Sequence, residues 1–498
     1  MTVNELLHNL MATLPELILG VGICAVILAD MLTPAARGRQ VTAALALLAV
    51  VWGLTLTAAM PAGTGGDFGG MLARDGLARV FKLLFLTGAA STILFSLRSR
   101  ETIGYRQGEF HALVLGATLG ACLLAAADNI ILLVLALETL SISSYVLAGY
   151  VKHERRSAEA ALKYLLYGAV ASGIMLFGFG YLYGMSGTTS ISTAAAALAA
   201  GPPNRLAFTL ALLLVLVGFG FKMAMVPFHF WCPDVYQGAP TPVTAYLAVV
   251  SKAAGFAALM RVLLPVFEAP AAFATLTGSG QLALLFGILA AVTMLVGNFI
   301  ALRQTDIKRL LAYSSIAHAG YLLMGFTVFS PDAAETILFY FVIYLFMNLG
   351  AFWCAIVLIE RTGSAELDSF RGAAWRSPFL GGVMFIFLIS LTGLPPTAGF
   401  VAKLRLFEVV LSAGMAGLEG GAAAAGYAYL ALAIFGVLNS AVSLYYYMKI
   451  MRAMALERPA SREPIDLSAA DRLYALLFAV PTVALLFFTP VLRLVDIL

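Results

Sequence analysis

The sequence predicts an all-α polytopic membrane protein of about fourteen transmembrane helices, and three observations carry that expectation. Of 498 residues, 61% are hydrophobic and 11% charged, with a mean hydropathy of +0.95, against about 45–50% and about 25% in ordinary soluble domains. The roughly 300 apolar residues suffice for roughly 15 spans at about 20 residues each. Polar or Gly/Pro breaks cut the apolar runs into fourteen segments, and the loop lysines and arginines gather on one side. A soluble enzyme of this length is excluded. The net charge of +4, from 30 basic and 26 acidic residues, leaves no basic excess to hold a nucleic acid.

Met1 to Leu10 has neither a basic n-region nor a small-residue cleavage site, so the first run, 15–32, is expected as a retained span. The runs 41–60 and 77–97 follow, separated by the Pro/Gly-rich stretch 61–70. Only Ala127-Asp128 divides 110–126 from 129–150. The basic loop at Lys152 precedes 158–185, Gly201-Pro202-Pro203 precedes 206–231, and Gly238-Ala239-Pro240 precedes 241–267. Next come 281–302 after Gly278-Ser279-Gly280, 310–329 after Arg303-Gln304-Thr305-Asp306, and 335–360 after Ser330-Pro331-Asp332. The run 378–411 is overlong and contains Pro395-Pro396. Gly420-Gly421 leads to 426–454, and a polar stretch ending at Arg472 leads to 473–495.

Eighteen of the thirty Lys and Arg residues fall in loops on one side of this arrangement. Five, Arg74, Arg79, Arg205, Arg261 and Arg493, fall on the other. The richer side is expected to be cytoplasmic, which places both termini outside. Seven remain: Lys82, Lys163, Lys222, Lys252, Lys403, Arg405 and Lys449. Lys82 and Lys449 lie toward span ends, where a long side chain snorkels to the headgroups.

A lysine at the centre of a span costs about 2.5–3.5 kcal/mol, so Lys222, Lys252 and Lys403 need partners, water or a function. Glu138, between Ile130–Leu137 and Ser141, is the obvious acidic partner. A structural ion pair accounts for one lysine, not three. Lysine suits proton transfer because burial disfavours its charged form and a nearby carboxylate restores it. Lys163, about a turn and a half from a helix end, fits snorkelling and relay equally.

Two spans are interrupted near these lysines. Pro227 frees the carbonyl of Met223 beside Lys222, and a continuous helix would set His229, seven residues on, on the same face. Pro395 and Pro396 free two carbonyls ahead of Lys403. Broken backbone at membrane depth is tolerated where it is buried or lines a wet cavity. Breaks in the seventh and twelfth helices, five apart, suggest two inverted five-helix repeats: 110–267 and 281–454, the latter with 310–329 and 378–411 in the proton path, flanked by an N-terminal three-helix segment, 1–109, and a C-terminal helix, 455–498. His318 lies among hydroxyls inside a span and suits proton exchange, with a hydrogen-bonded structural role as the alternative; His8, His111 and His153 are expected at solvated interfaces. Cys24, Cys122, Cys232 and Cys354 lack metal-type spacing.

The run from Phe221-Lys222 through Val226-Pro227-Phe228-His229-Phe230-Trp231-Cys232-Pro233-Asp234 to Ala248, and the run Gln304 to Ile316 with His318 and Gly320-Tyr321, resemble signatures of the antiporter-like subunits of respiratory complex I. The Pro395-to-Lys403 run is similar to the branch carrying lysine, not glutamate, at that position. The resemblance implies a proton-translocating subunit of a bacterial inner-membrane NADH:quinone oxidoreductase. It implies no cofactor on this chain, with NADH, FMN, iron-sulfur clusters and quinone in other subunits, and implies other membrane-arm subunits and the lipid bilayer as partners. Glu138 and Lys222 would form the tuning pair, Lys252 and His318 would carry the proton, and Lys403 would release it, with Lys163 and His229 assisting at the entry. A multi-subunit Na+/H+ antiporter subunit and a non-pumping scaffold are the alternatives.

Overall fold

The computed structural model describes residues 9–11, 13–60, 66–102, 105–199, 201–268, 280–458 and 463–487. Its helices are α1 Leu14–Leu32, α2 Ala35–Ala59, α3 Gly76–Arg98, α4 Gln107–Ala126, α5 Ile130–Ala148, α6 Arg155–Ser186, α7 Ile191–Ala199, α8 Arg205–Met223, α9 Trp231–Gly238 and α10 Thr241–Tyr246. They continue with α11 Lys252–Glu268, α12 Gln281–Ala301, α13 Ile307–Gly325, α14 Pro331–Thr362, α15 Ala373–Arg376, α16 Pro378–Thr392, α17 Ala398–Glu419, α18 Ala423–Ala455 and α19 Ala469–Ala484. A two-residue hairpin, Gly66–Asp67 with Leu72–Ala73, is the exception to the all-helical expectation among the described residues.

Eleven described helices are long and apolar enough to cross a membrane, or twelve if Leu367–Arg376 and Pro378–Thr392, bent by 120°, count as one. The expected fourteen differ for physical reasons. Helix α13 carries Lys308, Arg309 and His318 among hydroxyls, the overlong run 378–411 is broken into α16 and α17, and α19 has 16 residues. His8 and the end of the expected last span, 488–495, lie outside the described residues.

The chain divides into two compact units. The first, described over 9–224 and 238–268, holds α1 to α8, α10 and α11. Asp75, Asn129 and Asn204 cap α3, α5 and α8 with their side chains, accepting from backbone N–H groups of the first turn. Helices α4 and α5 approach so closely at Gly120 that an added Cβ would stand 2.5 Å from the Leu140 nitrogen, a small-residue contact of the kind that joins helices in lipid. Helix α10 runs through one π-helical turn, Leu247–Ser251, into α11.

The second unit, described within Met225–Gln237 and 280–487, holds α9 up to Gln237 and α12 to α19. Asp306 and Ser330 cap α13 and α14, and a Ser468/Asp471 capping box starts α19. Helix α16 ends at Gly393, whose φ of +84° suits glycine, and α17 begins five residues later.

Three charged or polar groups expected at interfaces are buried or largely withdrawn within the first unit. Lys82 does not snorkel: its Nζ meets Glu16 Oε1 at 2.7 Å, the side chains 13% and 6% exposed. Arg261, expected toward the end of the span 241–267 on the less basic side, is buried; it donates to the Ala125 carbonyl at 3.1 and 2.7 Å and forms a two-pronged pair with Asp75. His111 is fully buried, with Thr42 Oγ1 at 3.1 Å and Ser96 Oγ at 3.3 Å. Each satisfies its polar atoms with residues distant in sequence.

Candidate functional site

In the first unit Lys222 occupies the last turn of α8 and is fully buried. The helix stops because Ala224 turns left-handed, φ +56°, before Pro227, which has no N–H to continue it. The expected helical register between Lys222 and His229 is therefore absent. Lys222 Nζ donates to Ser141 Oγ at 3.0 Å and lies 5.7 Å from the centre of the Tyr164 ring. Glu138, one turn before Ser141 on α5, forms no ion pair within 4.0 Å among the described residues, and the hydroxyl of Ser141 is what contacts Lys222 directly.

Lys252 opens α11 directly after the π turn and is buried. Extra-wide turns of this kind recur at functional sites. Tyr164 OH and Ser251 Oγ, on the residue before Lys252, are 3.4 Å apart. A Cβ at Gly255 would meet Lys222 Cβ at 3.1 Å. The Lys222 stem thus packs on the first turn of the helix that Lys252 begins. Lys163 has a different setting: on α6 it pairs with Glu159 at 2.6 Å, the side chains 37% and 55% exposed.

In the second unit Lys403, on the second turn of α17, is buried and folds back onto the break. Its Nζ donates to the carbonyls of Leu391 at 3.1 Å and Thr392 at 2.8 Å, and to Ser440 Oγ at 3.0 Å. Those two carbonyls stand four residues before Pro395 and Pro396, which cannot donate to them. They also end α16, where the helix dipole favours a cation. The Tyr321 ring lies 4.7 Å from the same Nζ.

His318, on α13 one turn before Tyr321, is buried. Its Nδ1 shares a hydrogen bond of 2.7 Å with Tyr340 OH, and its Nε2 lies 3.4 Å from Tyr447 OH, which in turn contacts Ser314 Oγ. The His318 and Tyr321 ring centres are 5.9 Å apart. Tyr321 OH accepts from Asn298 Nδ2 at 3.1 Å. His318 and Lys403 are thereby flanked by one tyrosine. His229, buried before α9, has its ring centre 4.4 Å from that of its neighbour Phe230, the rings tilted by 34°.

Sequence reasoning missed Tyr164, Tyr340, Tyr447 and Ser440. A buried tyrosine reads in sequence as a core aromatic, and nothing local reveals that its hydroxyl meets a histidine 22 or 129 residues away.

Against known proteins, the profile of a family described as NADH:quinone oxidoreductase/Mrp antiporter, TM, matches residues 127–419. The NADH-quinone oxidoreductase subunit N of Anaeromyxobacter sp. (strain Fw109-5) is 41% identical, covering 99% of this chain and 96% of its own length. A chain of respiratory complex I from Thermus thermophilus with bound aureothin superposes with a TM-score of 0.78 at 33% identity, covering 96% of this chain and 98% of that one. A chain of the Mrp complex from Dietzia sp. DQ12-45-1b shares the fold, with a TM-score of 0.77 at 21% identity over 99% of this chain and 96% of that one.

Proposed function

We propose that this chain, which belongs to the NADH:quinone oxidoreductase/Mrp antiporter transmembrane family, is a proton-translocating membrane subunit of an NADH:quinone oxidoreductase, like the relatives named subunit N. The observation that carries the reading is the setting of Lys222 and Lys403. Both are buried and bonded to neutral acceptors, and neither forms an ion pair within 4.0 Å among the described residues. An ammonium and a neutral amine can each donate to a hydroxyl or carbonyl. Such a site accommodates both protonation states, whereas a lysine kept for a structural ion pair needs its carboxylate.

In this reading a proton enters from the cytoplasm near Lys163 and His229 and loads Lys222, whose charged form Glu138 favours at a distance. It passes to Lys252 and His318 and leaves from Lys403 toward the periplasm. Redox chemistry takes place in other subunits, which hold NADH, FMN, iron-sulfur clusters and quinone. Fourteen spans, two inverted repeats over 110–267 and 281–454 with flanking segments 1–109 and 455–498, and periplasmic termini in a bacterial inner membrane complete the proposal. Basic loop residues on one side support the orientation.

Lys222→Ala or Glu138→Ala is expected to leave the complex assembled and to reduce NADH-driven proton uptake into inverted vesicles; unchanged uptake overturns the relay. The family description also names Mrp antiporters, so Na+/H+ exchange is the second reading. Proton movement driven by a sodium gradient without NADH would favour it.

A further inference from the structure

The first unit holds a second ion pair largely withdrawn from the surface, Lys82 on α3 with the buried Glu16 on α1. Buried pairs add little net stability compared with apolar residues of the same volume, so packing alone does not explain it. Lys82 stands seven residues from Asp75, two turns along one face of α3 and about 10 Å away along the axis. Asp75 caps that helix, holds the buried Arg261 and is 26% exposed, so this face runs from a buried pair to solvent. On α4, Cys122 is buried. One turn back, Thr118 Oγ1 shares a hydrogen bond of 3.1 Å with Tyr246 OH. Tyr246 directly precedes the π turn that leads into Lys252. Thr118 thus ties α4, which packs against the α3 that carries Lys82, to the approach to Lys252.

We propose that Lys82 and Glu16 form a second proton station, which carries protons from the Lys252 side of the first unit to its Asp75 end; this rests on the proton-translocating reading above. In the step, the Lys82 ammonium gives its proton to the Glu16 carboxylate, leaving a neutral amine and a neutral acid. The acid releases that proton at the Asp75 end, and the amine takes another from the Tyr246 side. Both charges are restored and one proton has moved.

Lys82→Arg separates this role from packing, because arginine keeps the charge and the pair but does not give up its proton in proteins. With the variant complex present in membranes at the parent amount, protons taken up per NADH oxidised by inverted vesicles are expected to fall below the parent ratio. An unchanged ratio overturns the proposal. Should Lys82→Arg fail to assemble, the neutral double variant Glu16→Gln/Lys82→Met is read the same way, and failure of both to assemble also overturns it by making the pair a packing requirement. Lys222→Arg measured alongside keeps the two readings apart. A normal ratio there sinks the relay as a whole, whereas a normal ratio in Lys82→Arg alone sinks only the second station.

Discussion

Lys222 donates to Ser141, Nζ to Oγ at 3.0 Å, one turn along α5 from Glu138. A hydrogen bond to a charged group contributes about 1.5–3 kcal/mol. Ser141→Ala is therefore expected to lower NADH-driven proton uptake into inverted vesicles with the complex still assembled, and Ser141→Thr, which keeps the hydroxyl, to restore it. Equal uptake in the alanine variant and the parent would remove Ser141 from the site.

Gly393 makes the fold-back of Lys403 possible. Its φ is +84°, and a Cβ there would stand 2.6 Å from Lys403 Cδ. Gly393→Ala is expected to cost about 1–2 kcal/mol in backbone strain and to push Lys403 off the Leu391 and Thr392 carbonyls, with a fall in protons moved per NADH. Gly382→Ala, where an added Cβ meets nothing within 4 Å, is the control expected to leave the ratio unchanged.

Tyr340→Phe removes the 2.7 Å partner of His318 Nδ1. Leaving a buried polar atom unsatisfied costs about 1–3 kcal/mol. The expected result is slower proton uptake with the complex assembled; uptake equal to the parent would assign His318 a packing role.

Asp75 gives a pH-dependent test outside the spans. Burial pushes its carboxyl up, but the Arg261 charge and the hydrogen bonds from Arg261 and the Ala78 N–H outweigh it, so the group lies below its ordinary value of 3.8. A lowered folded-state value means that the stabilisation is fully present above about pH 3.8 and is lost as pH falls through the folded value. Asp75→Asn is expected to lower the thermal midpoint of the solubilised complex near neutral pH, by the equivalent of about 3 kcal/mol for a broken, partly exposed pair. The difference from the parent should shrink in acid below that range; one independent of pH would contradict the assignment.

Much of this was legible in the sequence because membrane burial makes charge and proline conspicuous. Lys222, Lys403, His318 and both interruptions stand out against apolar runs, and the carbonyls freed by Pro395 and Pro396 are those that Lys403 reaches. What stayed hidden depended on pairings between distant segments. Lys82 and Arg261 read as interfacial because each lies near a span end, and only folding brings Glu16 and Asp75 against them. The contact of Lys222 with the Ser141 hydroxyl stayed hidden for a related reason: helical spacing puts Glu138 and Ser141 on one face but does not decide which of them touches the lysine.

The most direct test of the relay is the number of protons taken up per NADH oxidised by inverted vesicles carrying Lys222→Arg. Arginine keeps the positive charge and a donor at the Ser141 position but does not release its proton. The expected result is an assembled complex with proton uptake well below the parent ratio. A parent-like ratio would show that Lys222 serves as a fixed charge and would contradict proton carriage through it.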